Sequence, residues 1–396
     1  MANPDNFPPE LLNQTLLERL DYFKNNGSTV MHRNLKSVYT DVKRSIREPA
    51  GASVIFVMGP PGVGKTTLLR LIEKILIEEA LADLKKNPGR IPLVSVEAIA
   101  PGKGNFKWKD FYQRALIALD EPLIDRKVDY NVDGIRRDRQ GKLIFGSSST
   151  EAALRLALEN ALLQRKPDTL LVDELQHIGK MASPSVLESH MDCIKSMVNC
   201  TKVMWTGFGT YQLLDLLNLS SQLSRRSRTI HFPRYRLECD EDIKEFLRVL
   251  QHFQYRMPLK EMPPLKQKHW EFCYERTIGC IGTLKDWLTQ ALQLALEEEA
   301  VTVTREHLEK TASLVSECER MARDAIEGEA ELTDKKETRF QLRVLLGLEK
   351  IESLEIKKGL TGDSKQKKNS SQSQRQSRRR VGDRNPKRDP VGGESA

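Results

Sequence analysis

Eight residues, Gly59, Pro60, Pro61, Gly62, Val63, Gly64, Lys65 and Thr66, constrain this chain more than any other stretch. They satisfy the spacing G-x-x-x-x-G-K-[ST] and stand between an apolar run, Val54 to Met58, and a helical pattern that begins at Thr67. Strand before and helix after is the context in which such a loop binds phosphate. Glycines let backbone N–H groups curl round phosphate oxygens, Lys65 reaches the β- and γ-phosphates, and the Thr66 hydroxyl ligates Mg²⁺. Residues 59 to 67 are therefore the expected ATP-binding segment, and the fold is expected to be α/β.

A chain of 396 residues with 39 % hydrophobic content can bury a sizeable core and carry smaller parts beside it. The net charge of +8 says little about partners until it is located. Most of it lies in residues 359–396, a Ser/Gln/Lys/Arg-rich tail without aromatics that holds ten basic and four acidic residues and is expected to be disordered. Six cysteines without a C-x-x-C pair argue against a zinc site or a disulfide framework and for a reducing cytoplasm. Neither a basic region followed by an apolar core nor an apolar run of about 18 residues is present, so no export or membrane partner is expected.

Two helical patterns, 9–24 and 32–47, form an N-terminal extension over residues 1–50, and the nucleotide-binding core is expected over 51–238. The basic face of the second helix reads as a solvated face, although it could also meet a polyanion. After a helix to Leu84, Ile91 to Val96 supplies the next strand, completing a β-α-β unit. The loop that follows sets Lys103, Lys107 and Lys109 among glycines with Phe106 and Trp108. It can lay ammonium groups along a phosphate backbone, or be a surface loop whose aromatics turn inward. Residues 121–149 are polar and broken, with a charged hairpin tip near Arg136 to Lys142, and read as an insertion.

Thr169 to Val172 is an apolar strand that ends in the adjacent carboxylates Asp173 and Glu174. About a hundred residues after a complete phosphate loop this is a Walker B pattern: Asp173 would hold Mg²⁺ with Thr66, and Glu174 would polarise the attacking water. Gln176 and His177 could position water nearby. A further strand over 201–206 places Thr206 and Thr210 as alternative γ-phosphate sensors, and spacing does not separate them. Arg225, Arg226 and Arg228 precede a last strand, Thr229 to Pro233, where an arginine could be offered to a neighbouring subunit's ATP. Beyond it, 239–316 is helical, with Thr304 a cap for its final helix, and 317–358 is helical and highly charged.

Together these motifs resemble an AAA+ ATPase: a P-loop core with a five-stranded parallel sheet, helices on both faces and a small all-helical lid. Within that class, Thr169 to His177, Gly209 to Leu214, and Leu223 to Arg226 with Phe232 to Tyr235 resemble the TnsC/TniB family of ATP-dependent transposition regulators, over roughly residues 30 to 315. The resemblance implies a homo-oligomer, ring or filament, that assembles on double-stranded DNA with ATP at subunit interfaces. Such an assembly links a target-selection protein to a transposase and is dismantled by hydrolysis. It places Lys103 and Lys107 towards DNA phosphates and Arg225 and Arg226 at the trans-acting arginine position. The lid helix departs from many AAA+ proteins: it reads Gly279 to Leu284, with glycine where a sensor arginine is expected, and Lys285 is off register. The competing reading is an AAA+ motor or loader acting on DNA or on secretion cargo.

Overall fold

The computed structural model describes residues 6–26, 30–119, 135–137, 143–145, 150–218, 225–334 and 336–349. Most of the 121–149 insertion, Leu223 and Ser224, and the 359–396 tail lie outside the described residues.

Among the described residues there are seven strands: β1 (Val54–Met58), β2 (Leu93–Glu97), β3 (Ile135–Arg137), β4 (Leu143–Phe145), β5 (Thr169–Asp173), β6 (Met204–Gly209) and β7 (Ser227–His231). Five of them form a parallel sheet in the order β2-β5-β6-β1-β7. β3 and β4 pair separately and antiparallel, with Arg137 opposite Leu143; the charged tip expected between them lies outside the described residues.

The sheet is parallel and central because its strands are apolar on both sides. All five residues of β1 are buried, and burying each such side chain contributes about 1.5–3 kcal/mol, so both faces must be covered. Alternation divides them. Val54, Phe56, Met58, Leu170 and Val172 face one layer with side chains of helices Trp108–Ala118, Glu151–Arg165 and Pro184–Thr201. Ile55, Val57, Leu171 and Phe208 face the other, with helices Arg33–Arg47 and Lys65–Leu84.

The basic helix Arg33–Arg47 thus contributes its apolar stripe to the core. Three of its cations are paired with carboxylates of other segments: Lys43 and Arg47 with Glu79, Arg47 also with Asp168, and Arg33 with Asp242.

A third hydrophobic cluster joins helices Asp240–Arg256, Trp270–Thr277, Ile281–Glu297 and Arg305–Thr311, and Leu20 and Phe23 from the N-terminus pack into it. Thr304 caps the last of these helices as expected, accepting from the His307 backbone N–H while His307 Nδ1 accepts from Thr304 N at 2.9 Å. The chain then turns at residues 312–314 and runs back as helix Val315–Glu331, whose Ala325 enters the core beneath Met321 and Ala322. Contacts divide the chain after Thr333. In the second unit, helix Lys336–Leu345 has no buried residue.

Candidate active site

The phosphate loop leaves the C-terminal end of β1, which lies between β6 and β7, at the kind of sheet edge where parallel α/β folds bind ligands. Gly62 and Gly64 adopt positive φ values of 72° and 112°, open to glycine at little cost. Helix Lys65–Leu84 begins at once, so its free N–H groups face the loop. A Cβ on Gly59 would lie 2.2 Å from the Phe232 carbonyl oxygen, which fixes glycine there by close backbone approach. Lys65 is buried, and its Nζ donates to the carbonyls of Gly59 (3.0 Å) and Pro60 (2.9 Å). Burial pushes its pKa down, opposed by the negative charge of Glu174.

β5 ends beside this loop. Thr66 Oγ1 donates to Asp173 Oδ2 at 3.1 Å, joining the two motifs across 107 residues of sequence. Burial raises the Asp173 pKa, while the Glu174 N–H and the Thr66 hydroxyl lower it. Glu174 follows with φ 52°, a left-handed conformation uncommon for a non-glycine residue, and its N–H donates to Asp173 Oδ1 at 2.9 Å. That turn directs Glu174 away from the strand axis and towards the end of β6.

The two threonines are separated by structure. β6 runs over 204–209, three residues beyond the expected end, because its glycines belong to the strand: a Cβ on Gly207 would lie 2.1 Å from Leu175 Cδ2. Thr206 therefore sits in mid-sheet, opposite Ile55 and Leu171, with its hydroxyl 2.9 Å from that of Thr169. It is fully buried and is not brought to the phosphate loop. Thr210 is at the strand end, and its buried Oγ1 has no hydrogen-bond partner among the described residues.

The helical region closes over the loop apex. Thr283 N–H donates to the Gly62 carbonyl at 2.9 Å, and a Cβ on Gly282 would stand 2.5 Å from that same oxygen. A side chain on Gly282 would therefore strike the phosphate loop. Lys285, half-buried one turn on, lines a narrow cleft with His32, Val63, Gly64 and Thr67. Burial lowers its pKa, opposed by Asp286.

Arg225 and Arg226 are exposed at the start of β7, where Ser227 pairs with Val54 and the Arg226 carbonyl accepts from Ser53 N–H at 2.8 Å. Arg226 Nη1 donates to Asn199 Oδ1 at 2.9 Å. The length of β1, about 15 Å at ~3.3 Å per residue, separates these arginines from the phosphate loop of their own chain. Lys103 and Lys107 are exposed on the loop after β2, while Phe106 and Trp108 are buried, with Trp108 Nε1 donating to His190 Nδ1 at 2.8 Å. The aromatics of that loop turn inward and its lysines outward.

Three contacts carry no clear signal in sequence. His32 Nδ1 lies 2.9 Å from the Tyr235 hydroxyl, Tyr211 OH lies 2.9 Å from His231 Nε2, and the Gln176 amide reaches both Glu174 and Thr210. Each pairs residues that only the folded topology makes neighbours.

A phosphate loop at the end of an inner strand, a strand-end carboxylate bonded to its threonine, and a parallel sheet in this order make up an AAA+-type P-loop fold. In agreement, residues 47–217 match the family model of the AAA domain. The chain has no match among curated proteins. Among solved structures it is similar to the Aeropyrum pernix ORC2 protein in its ADP form, with 16 % identity over 75 % of this chain and 72 % of that one (TM-score 0.46). The Aeropyrum pernix ORC1 protein in complex with DNA gives 15 % identity over 74 % and 68 % (TM-score 0.47). The Thermotoga maritima RuvB Holliday junction branch migration motor gives 14 % over 73 % and 72 % (TM-score 0.36). No helix among the described residues is long and apolar enough to cross a membrane.

Proposed function

We propose that this ATPase is a regulator of DNA transposition of the TnsC/TniB type, assembling on double-stranded DNA with ATP at its subunit interfaces. The observation that carries the reading is the placement of Arg225 and Arg226. They are exposed, and a full strand length removes them from their own phosphate loop, so the nucleotide they can serve belongs to another copy. The segments Thr169 to His177, Gly209 to Leu214 and Phe232 to Tyr235 support the transposition assignment by their resemblance to that family.

In this account Lys65 neutralises the β- and γ-phosphates, exchanging its two carbonyl partners for phosphate oxygens. Thr66 and Asp173 offer Mg²⁺ two oxygen ligands of the kind it takes, already 3.1 Å apart. When bound, the metal would offset the charge that develops on the phosphates. Glu174 is the base for the attacking water, and the Thr210 hydroxyl, which has no partner among the described residues, is the sensor of the terminal phosphate. Lys103 and Lys107 contact DNA phosphates, which gives affinity without sequence preference. Hydrolysis then disassembles the oligomer after a target-selection protein has been linked to transposase.

Electron microscopy of the protein with duplex DNA and a non-hydrolysable ATP analogue tests this reading. Rings or filaments should form with the analogue, diminish as salt rises, and be absent for Lys65→Ala. Strand separation under continuous turnover, without a stable assembly, would instead indicate a motor or loader.

A further inference from the structure

Gln176 lies in the short 3₁₀ turn Leu175–Gly179, two residues past Glu174, and is 8 % exposed. Its amide is engaged at both ends. Nε2 donates to Glu174 Oε2, and Oε1 accepts from the Thr210 backbone N–H at 3.2 Å. Chemistry fixes the orientation, because a flipped amide would set its oxygen against a carboxylate and its NH₂ against an N–H donor.

The surroundings hold the amide in that place. A Cβ on Gly209 would lie 2.4 Å from Gln176 Oε1 and 2.8 Å from Leu213 Cδ1, so glycine at the last position of β6 leaves the room that the amide occupies. On its other side the turn is tied to the β2 end, where His177 Nδ1–H donates to the Ala98 carbonyl at 2.8 Å. The contact thus joins the carboxylate that follows β5 to the residue that follows β6. That second residue carries the buried hydroxyl without a partner among the described residues.

We propose that Gln176 is a positioning residue that couples occupancy of the phosphate sensor, Thr210, to the orientation of Glu174. With Oε2 engaged by the amide, Glu174 presents Oε1 to the water as the proton acceptor. A shift of the β6 end when Thr210 meets a phosphate oxygen passes to Glu174 through one rigid planar group. Gln176 itself touches no reacting atom. The inference rests on the ATPase site alone and is independent of DNA or transposase.

Two variants test it, with ATP hydrolysis and binding of a fluorescent ATP analogue measured on the full chain. Gln176→Leu removes both bonds and should lower kcat at least tenfold, with KM and analogue Kd within twofold of wild type. Gln176→Glu keeps an acceptor for Thr210 N–H but sets a second carboxylate against Glu174. Like charges raise one of the two pKa values, so the acid limb of the kcat–pH profile should move up by a unit or more. The second variant stands if the first fails to fold. Gln176→Leu turning over within twofold of wild type, analogue Kd rising in step with the loss of kcat, or an unmoved pH profile for Gln176→Glu would overturn the proposal.

Discussion

His231 shows how much a single side chain can tie the site to pH. It is the last residue of β7, held by the Tyr211 hydroxyl, and burial lowers its pKa from 6.5 to about 4, with the charge of Arg236 adding to the effect. His32, beneath Tyr235, is likewise lowered to about 4 by burial. A folded-state pKa below the unfolded one means that the unfolded chain takes up the proton first. Stability from these histidines is therefore complete above about pH 6.5 and is lost as pH falls towards 4, by at most about 3 kcal/mol for each residue. Thermal midpoints measured between pH 7 and 4.5 should fall, and should fall less for His231→Gln, which keeps a neutral hydrogen-bonding group. Identical slopes for variant and wild type would remove His231 from this role.

At the scale of elements, helix Val315–Glu331 connects the helical region to the sheet. Arg234 pairs with Glu329 at 2.9 Å, both nearly buried, and Gly328 lies flat against the ring of Tyr211, where a Cβ would come within 2.1 Å of Cγ. Gly328→Val should lower stability by about 1–3 kcal/mol through overpacking, seen as a lower denaturant midpoint. An unchanged midpoint would show the contact to be loose. This docking was not legible in sequence because the residues that make it, Ala322, Ala325 and Gly328, are small and stand among charges, so the segment reads as a solvated helix.

The sheet is the opposite case. β1 and β5 are unbroken apolar runs followed by motifs with fixed chemistry, and both the strands and the Thr66–Asp173 contact are as the residues indicate. β6 misleads because glycine usually ends a strand, whereas Gly207 and Gly209 continue this one to admit Leu175 and Gln176. That single feature places Thr206 within the sheet and Thr210 at the strand end. A residue's contact across the sheet is a property of the register, and no local pattern contains it.

At the scale of the whole molecule, the proposed function divides the site between two copies of the chain. Lys65, Thr66, Asp173, Glu174 and Thr210 gather at the C-terminal ends of the strands, while Arg225 and Arg226 stand at the opposite end of the sheet. An assembly in which each copy offers its arginines to the next would make hydrolysis a property of the interface, and partner binding could then control it by altering subunit contacts. Mixing two inactive variants tests this claim most directly. Lys65→Ala has no functional phosphate loop but intact arginines; the double variant Arg225→Ala, Arg226→Ala has the reverse. Each alone should lose at least tenfold in ATP turnover in the presence of duplex DNA, and mixing them should restore a substantial fraction. If the arginine double variant hydrolyses ATP normally alone, or if the mixture stays as inactive as its parts, the interface account is contradicted.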